Sequence, residues 1–269
     1  MSDATLAARA FYAVLRRDLH VFLSYRTRLV SQALTVLFSL TLFYYVSQLV
    51  SVRGFGSHQA YFGFVIVGLA LVSVMYSCFS IPELVRQELV AGTFDRLVLS
   101  PFGPVRSVIA MTLFPMLYSF FIAAITLGIG YALYGLHLNW PTVPISVPVM
   151  ALVLLAFLPF GLLFAALTLV VKQGNVGTSW VIAGLSIVGG LYFPVTLLPH
   201  WLQTTSKLQP FTAATEVLRQ LLVGGSPSAS TGPALWKLTA FAAVLLPVSI
   251  AILAAAIRTG QRRGTIIEY

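Results

Sequence analysis

Side chains able to do acid–base or metal chemistry are scarce in this sequence, and the few present do not assemble into a centre. Seven carboxylates and four histidines serve 269 residues. His20, His58, His137 and His200 are scattered along the chain, and none has a second ligand at metal-binding spacing. Cys78 is the single cysteine, so no internal disulfide can form. His200, Glu216 and Arg219 fall within one segment, but an enzymatic reading of them is set aside. No Gly-x-x-x-x-Gly-Lys-[Ser/Thr] phosphate loop occurs, so ATP cannot be held in the usual way.

The densest run of charge lies in residues 82–104, PELVRQELVAGTFDRLVLSPFGP, where Glu83, Arg86, Glu88, Asp95 and Arg96 mix both signs. Gly92 should break a short helix there, and Thr93 could cap the turn that follows. Leu89, Val90, Phe94, Leu97, Val98 and Leu99 give the same segment an apolar face. A face of that kind outside the membrane points to docking on a partner rather than to catalysis.

The elements that carry these residues follow from composition. The chain is 58% apolar and 9% charged, with a mean hydropathy of +0.93, whereas a soluble domain carries roughly 25% charged residues. Too few charges exist to cover a water-facing surface, so the expected fold class is an all-α integral membrane protein. Six charge-free stretches are long enough to cross a bilayer core, which needs roughly 20 apolar residues per helix. They are residues 29–50, 60–81, 107–134, 145–171, 176–198 and 238–257. Their continuity favours helices over barrel strands, which would be short and alternating. With the N-terminus in the cytoplasm, twelve Lys and Arg fall on the cytoplasmic side and four on the other. That asymmetry predicts cytoplasmic N- and C-termini in a multi-pass plasma-membrane protein. It also assigns the net charge of +9 to cytoplasmic loops rather than to nucleic-acid binding. No cleavable signal peptide is evident, and the first span is read as an uncleaved anchor.

Residues 1–28 form the first unit, 29–257 the six-span unit and 258–269 a cytoplasmic tail. Within the first, Phe11, Val14, Leu15, Leu19 and Phe22 recur at helical spacing. Arg9, Arg16, Arg17 and His20 fall opposite them, which predicts an amphipathic interface helix among lipid headgroups. Asp18 sits among the apolar positions, as a buried polar contact would require. Before the last span, residues 199–225 offer two short amphipathic pieces divided by Pro210, with Thr212 or Thr215 as candidate caps. Such pieces suit external re-entrant helices.

The spans hold no Asp, Glu, Lys or Arg. Ion-coupled carriers place ionisable groups inside the membrane, so a secondary transporter is disfavoured, and so is a polycationic cargo. Neutral hydroxyls and aromatics are instead plentiful. Gln32, Thr35, Ser39, Tyr44, Tyr76, Ser77, Ser179, Ser186, Tyr192 and Phe193 are the candidate translocation path. They suit an amphipathic or glycan-bearing cargo, although groups of this kind also glue helices together. Gly189, Gly190 and Pro194 read as close packing first and gating second.

Taken in order, these features resemble the membrane subunits of ABC type-2 exporters. The resemblance rests on an amphipathic helix followed by six spans and on QELVAGTFDRLVLSPFGP between the second and third spans. It rests also on YFPVTLLPHWLQTTSKLQPFTAATEVLRQLLVGG before the last span. It implies a permease that pairs with a second copy, a homodimer being expected, and engages two ATPase subunits that carry ATP and Mg. This chain would then bind no cofactor itself. The segment holding Glu83, Glu88, Leu89, Thr93, Phe94, Asp95 and Arg96 would be the cytoplasmic coupling helix, with Leu89 and Phe94 packing into the ATPase. The cargo would be an amphipathic drug or antibiotic, a lipid or a glycoconjugate. The alternatives are an ion-coupled secondary transporter and a non-transporting membrane scaffold or immunity protein.

Overall fold

The computed structural model describes residues 3–24, 26–49, 57–99, 102–171, 177–224 and 230–262. The connections at 100–101 and 172–176, and the tail beyond 262, lie outside them. Eleven α-helices follow one another in this part: α1 Asp3–Ser24, α2 Arg26–Leu49, α3 His58–Phe79, α4 Ile81–Val90, α5 Phe94–Leu99, α6 Pro104–Tyr134, α7 Val143–Val171, α8 Thr178–Val188, α9 His200–Leu208, α10 Pro210–Leu222 and α11 Thr231–Arg262.

Local chemistry sets several boundaries. Ser57 caps α3 by accepting from the Ala60 amide at 3.2 Å. α6 starts at Gly103-Pro104, where proline occupies a first-turn position that needs no amide donor. It stops at Gly135, whose φ of 67° suits a residue without Cβ. Neither Thr212 nor Thr215 caps α10. That helix begins earlier, with Gln209 at the cap position and Pro210 in its first turn.

α3 is the central post. Val65, Ile66, Leu71, Val74 and Met75 on its different faces are fully buried, and α2, α6, α7, α8 and α10 all pack on it. α7 reaches it most closely at Gly161, where a Cβ would run into the Cys78 backbone carbonyl. α7 in turn packs along α11. α2 leans on the bundle through α3 and α6, leaving Val30, Leu34, Phe38, Leu42, Tyr45 and Leu49 exposed along one stripe. In lipid such a stripe needs no burial.

Among the described residues, five helices are long and apolar enough to cross a bilayer. The expected span at 176–198 is the exception. Only Thr178–Val188 is α-helical, 11 residues, or roughly 16 Å at 1.5 Å per residue, about half a bilayer core. The helix ends at Gly189 and Gly190, the latter at φ 71°. Beyond Pro194 the chain continues as a short 3-10 turn, Val195–Leu197, into α9. Counting apolar residues registers the composition of this segment and misses the backbone break. Gly189 is also where the Phe211 ring of α10 presses against the chain, a contact that a side chain there would forbid.

Candidate functional site

A cavity of about 1000 Å³ opens between α1, α2, α3, α4 and α6. α3 and α4 supply one wall, a single helical face from Leu69 through Ser73, Tyr76, Ser77 and Ser80 to Glu83 and Glu88. Leu69, Ser73, Ser77, Ser80, Leu84 and Glu88 recur at intervals of three and four, as residues on one side of a helix must. α2 adds Gln32, Thr35 and Ser39, and α6 adds Phe114, Tyr118, Ser119 and Thr126. α1 closes one end with Arg17, Asp18 and Phe22.

Six of the ten predicted path residues therefore meet there: Gln32, Thr35, Ser39, Tyr76, Ser77 and Tyr192. Four do not. Tyr44 belongs to an aromatic cluster with Phe62 and Tyr134, at centroid distances of 5.4 and 4.9 Å. Ser186 is buried and donates to the Ile182 carbonyl at 2.7 Å, which makes it internal helix glue. Ser179 is exposed on α8, and Phe193 sits half-buried past the break. The shortened α8 accounts for these last three, since half a helix cannot present its length to the cavity. Tyr192 reaches the cavity from beyond the break and stacks on Phe43 of α2 at 5.4 Å.

The α6 wall was absent from the sequence expectation. Its signal was the pair Ser119 and Thr126, seven residues apart and both buried, on a largely apolar helix. The charged end was missed because Asp18, Glu83 and Glu88 stand outside the apolar runs, and only the packing of α1 and α4 turns them inward.

The α4–α5 elbow is built as the sequence suggested in outline. Gly92 at φ 63° makes the turn between the two helices. The Thr93 hydroxyl donates backwards, to the Glu88 carboxylate and to the Glu88 carbonyl at 3.3 Å. It braces the turn rather than capping α5. Arg86 forks onto Glu83 through bonds of 2.8 and 2.7 Å. The guanidinium holds the Glu83 carboxyl, just beyond the apolar run at 60–81, below its ordinary range.

The two apolar residues assigned to partner packing turn the other way. Leu89 and Phe94 are buried in this chain's own core, in a cluster with Ile81, Val85, Leu162, Leu253 and Ile257. Val90, at 59% exposure, and Arg96 face outward instead. The side chain of Asp95 lies outside the described part. The helical spacing that puts Leu89 and Phe94 on an apolar face cannot say whether that face meets α7 and α11 or another polypeptide.

A second polar arrangement secures the broken span. Arg219 of α10 donates from Nε to the Phe64 carbonyl at 3.0 Å, and from Nη2 to the carbonyls of Gly190 and Leu191 at 3.0 and 2.9 Å. Its guanidinium carbon lies 3.3 Å from the centre of the Phe64 ring. Burial lowers its pKa to about 9, which leaves it charged at pH 7. As α8 ends, the carbonyls of Leu185, Ser186 and Ile187 in its last turn are taken by backbone amides, and the two carbonyls just beyond its end are taken by the Arg219 side chain.

The family described as ABC-2 type transporter matches residues 9–223, from α1 through the end of α10. No curated protein matches the sequence.

Proposed function

The chain belongs to the ABC-2 type transporter family and is a multi-pass membrane permease, and we propose that it serves an ATP-driven exporter that moves an amphipathic substrate out of the cytoplasm or inner leaflet. The observation that carries this reading is the union of elbow and cavity in one element. α4 both begins the α4–α5 elbow and forms the charged end of the cavity wall through Glu83 and Glu88. A push on the elbow therefore moves the wall. Leu89 and Phe94 fix the elbow to α7 and α11, so a displacement travels into the bundle rather than being lost in a loose loop.

In this mechanism the partner ATPase holds ATP and Mg, and this chain performs no hydrolysis. Closure of the ATPase pair presses on the outward-facing Val90 and Arg96. The Arg17–Glu88 contact at 3.7 Å couples α1 to the same movement, which supports α1 as an interface helix between headgroups and ATPase. Two copies of this permease with two ATPases complete the assembly. Basic flanks support cytoplasmic termini.

The test is a mild-detergent pull-down followed by reconstitution. A stoichiometric ATPase with a phosphate loop should stay bound, and Thr93→Val should leave its hydrolysis intact while transport falls. A chain that retains no ATPase, or a Thr93→Val permease that transports at the full rate, would sink the assignment.

A further inference from the structure

The apolar spans contain no charge, yet the cavity does. Asp18, Glu83 and Glu88, three of the chain's seven carboxylates, all line it. Arg17 lies beside them, 2.9 Å from Asp18 and 3.7 Å from Glu88. Arg86 neutralises Glu83 through its fork at 2.8 and 2.7 Å. Among the described side chains, three carboxylates against two guanidiniums leave one negative charge in excess, within a chain whose net charge is +9. The side chains of Asp18 and Glu88 are each 19% exposed, so bulk water screens that excess only partly.

The rest of the cavity is graded. Along the α3–α4 wall the lining passes from Leu69 and Val72, through the hydroxyls of Ser73 and Ser77, to Glu83 and Glu88. From residue 69 to residue 88 the helical rise is roughly 28 Å. Opposite, Phe22, Phe114 and Tyr118 form one aromatic cluster, with Phe22 5.3 Å from Phe114 and 4.8 Å from Tyr118. These rings line the cavity next to its charged end. Ring faces attract a cation as well as an apolar body.

We propose that this cavity binds a monovalent cationic amphiphile, with its charged head among Asp18, Glu83 and Glu88 and its apolar body along Phe22, Phe114 and Tyr118. A single excess negative charge matches one positive charge. An anion would be repelled by that excess, and a polycation would find no further counter-charge along the neutral wall. The role of such a ligand as exported cargo rests on the permease reading, whereas its binding does not.

The experiment uses the full chain in phosphatidylcholine nanodiscs, with two probes of matched size and opposite charge, tetraphenylphosphonium and tetraphenylborate. Binding is read by equilibrium dialysis with empty discs subtracted. The phosphonium should bind saturably, and the borate at least about tenfold more weakly. Asp18→Asn combined with Glu88→Gln should weaken phosphonium binding by about tenfold. Arg17→Gln should strengthen it, because the competing cation is gone. Opposite shifts from neighbouring substitutions cannot both arise from misfolding. Equal binding of the two probes, no saturable phosphonium binding, or weaker binding in Arg17→Gln overturns the proposal. Retention of the ATPase is measured on the same preparation. Charge-selective binding without it leaves this site standing and removes the ATP-driven exporter reading, and a bound ATPase without charge selectivity does the reverse.

Discussion

Arg219→Met tests the device that allows one helix to stop halfway. The substitution preserves much of the side chain's length and removes every donor. The Phe64 carbonyl lies within α3, but those of Gly190 and Leu191 lie beyond the end of α8 and take their bonds from Arg219. A buried acceptor left without a partner costs about 1–3 kcal/mol. Two such acceptors give about 2–6 kcal/mol, and the desolvation cost of the buried guanidinium, which the variant no longer bears, offsets part of that. We expect a net loss of about 2–4 kcal/mol. At roughly 2–4 °C per kcal/mol for a chain of this size, the midpoint should fall by about 4–16 °C. Thermal unfolding of the purified chain in detergent, followed by tryptophan fluorescence, measures it. Arg219→Lys keeps the charge and loses the planar fork that serves two carbonyls at once, so it should fall about halfway. An Arg219→Met midpoint equal to that of the unsubstituted chain would refute the clasp. An Arg219→Lys midpoint unchanged would show that charge alone suffices and that the fork geometry is irrelevant.

Gly161→Leu should lower the midpoint at least as far, because a Cβ at that position meets the Cys78 carbonyl, and the check is the same unfolding assay. Gly68→Ala strains the Arg219 joint from the other side, with its Cβ 2.7 Å from the Leu191 oxygen and 3.2 Å from Arg219 Nη2. It should destabilise by about 1–3 kcal/mol, and a neutral result would contradict the packing of α3 on the break. Cys78 is fully buried, so a maleimide should label it only after denaturation, as read by intact mass. Ser119→Trp should fill part of the cavity and reduce transport by about tenfold or more while leaving ATPase retention intact, and undiminished transport would separate the cavity from the route.

Solvent and helix content were legible in the sequence because they depend on sums of local terms. A stretch without a charge is driven into hydrocarbon whatever its neighbours are, and its amides then have no partner but its own carbonyls. That reasoning placed α2, α3, α6 and α7 within about three residues and α11 within about seven, and it placed the Gly92 turn because only glycine adopts its positive φ without strain. It did not show that the helix within 176–198 stops at Val188, because composition is blind to where a helix stops. Gly189, Gly190 and Pro194 were visible, but the clasp was not, in which Arg219, about thirty residues later, takes the carbonyls of Gly190 and Leu191.

The candidate site divides along the same line. Hydroxyls on α2 and α3 could be seen in the sequence and do meet in the cavity, whereas Ser186 and Tyr44, of the same residue types, turn elsewhere. An apolar face at Leu89 and Phe94 was equally plain, yet its destination inside the chain was not. Periodicity specifies that a face exists, and only the packing of distant elements specifies what it meets. The charged end of the cavity is the clearest case. Asp18 and Glu88 are seventy residues apart, each outside a span, and their charges act on the interior only because α1 and α4 fold against it. The sequence alone determined that this protein lives in a bilayer as helices. Tertiary structure decided which of its polar groups face the interior, because that depends on contacts between segments that no local pattern encodes.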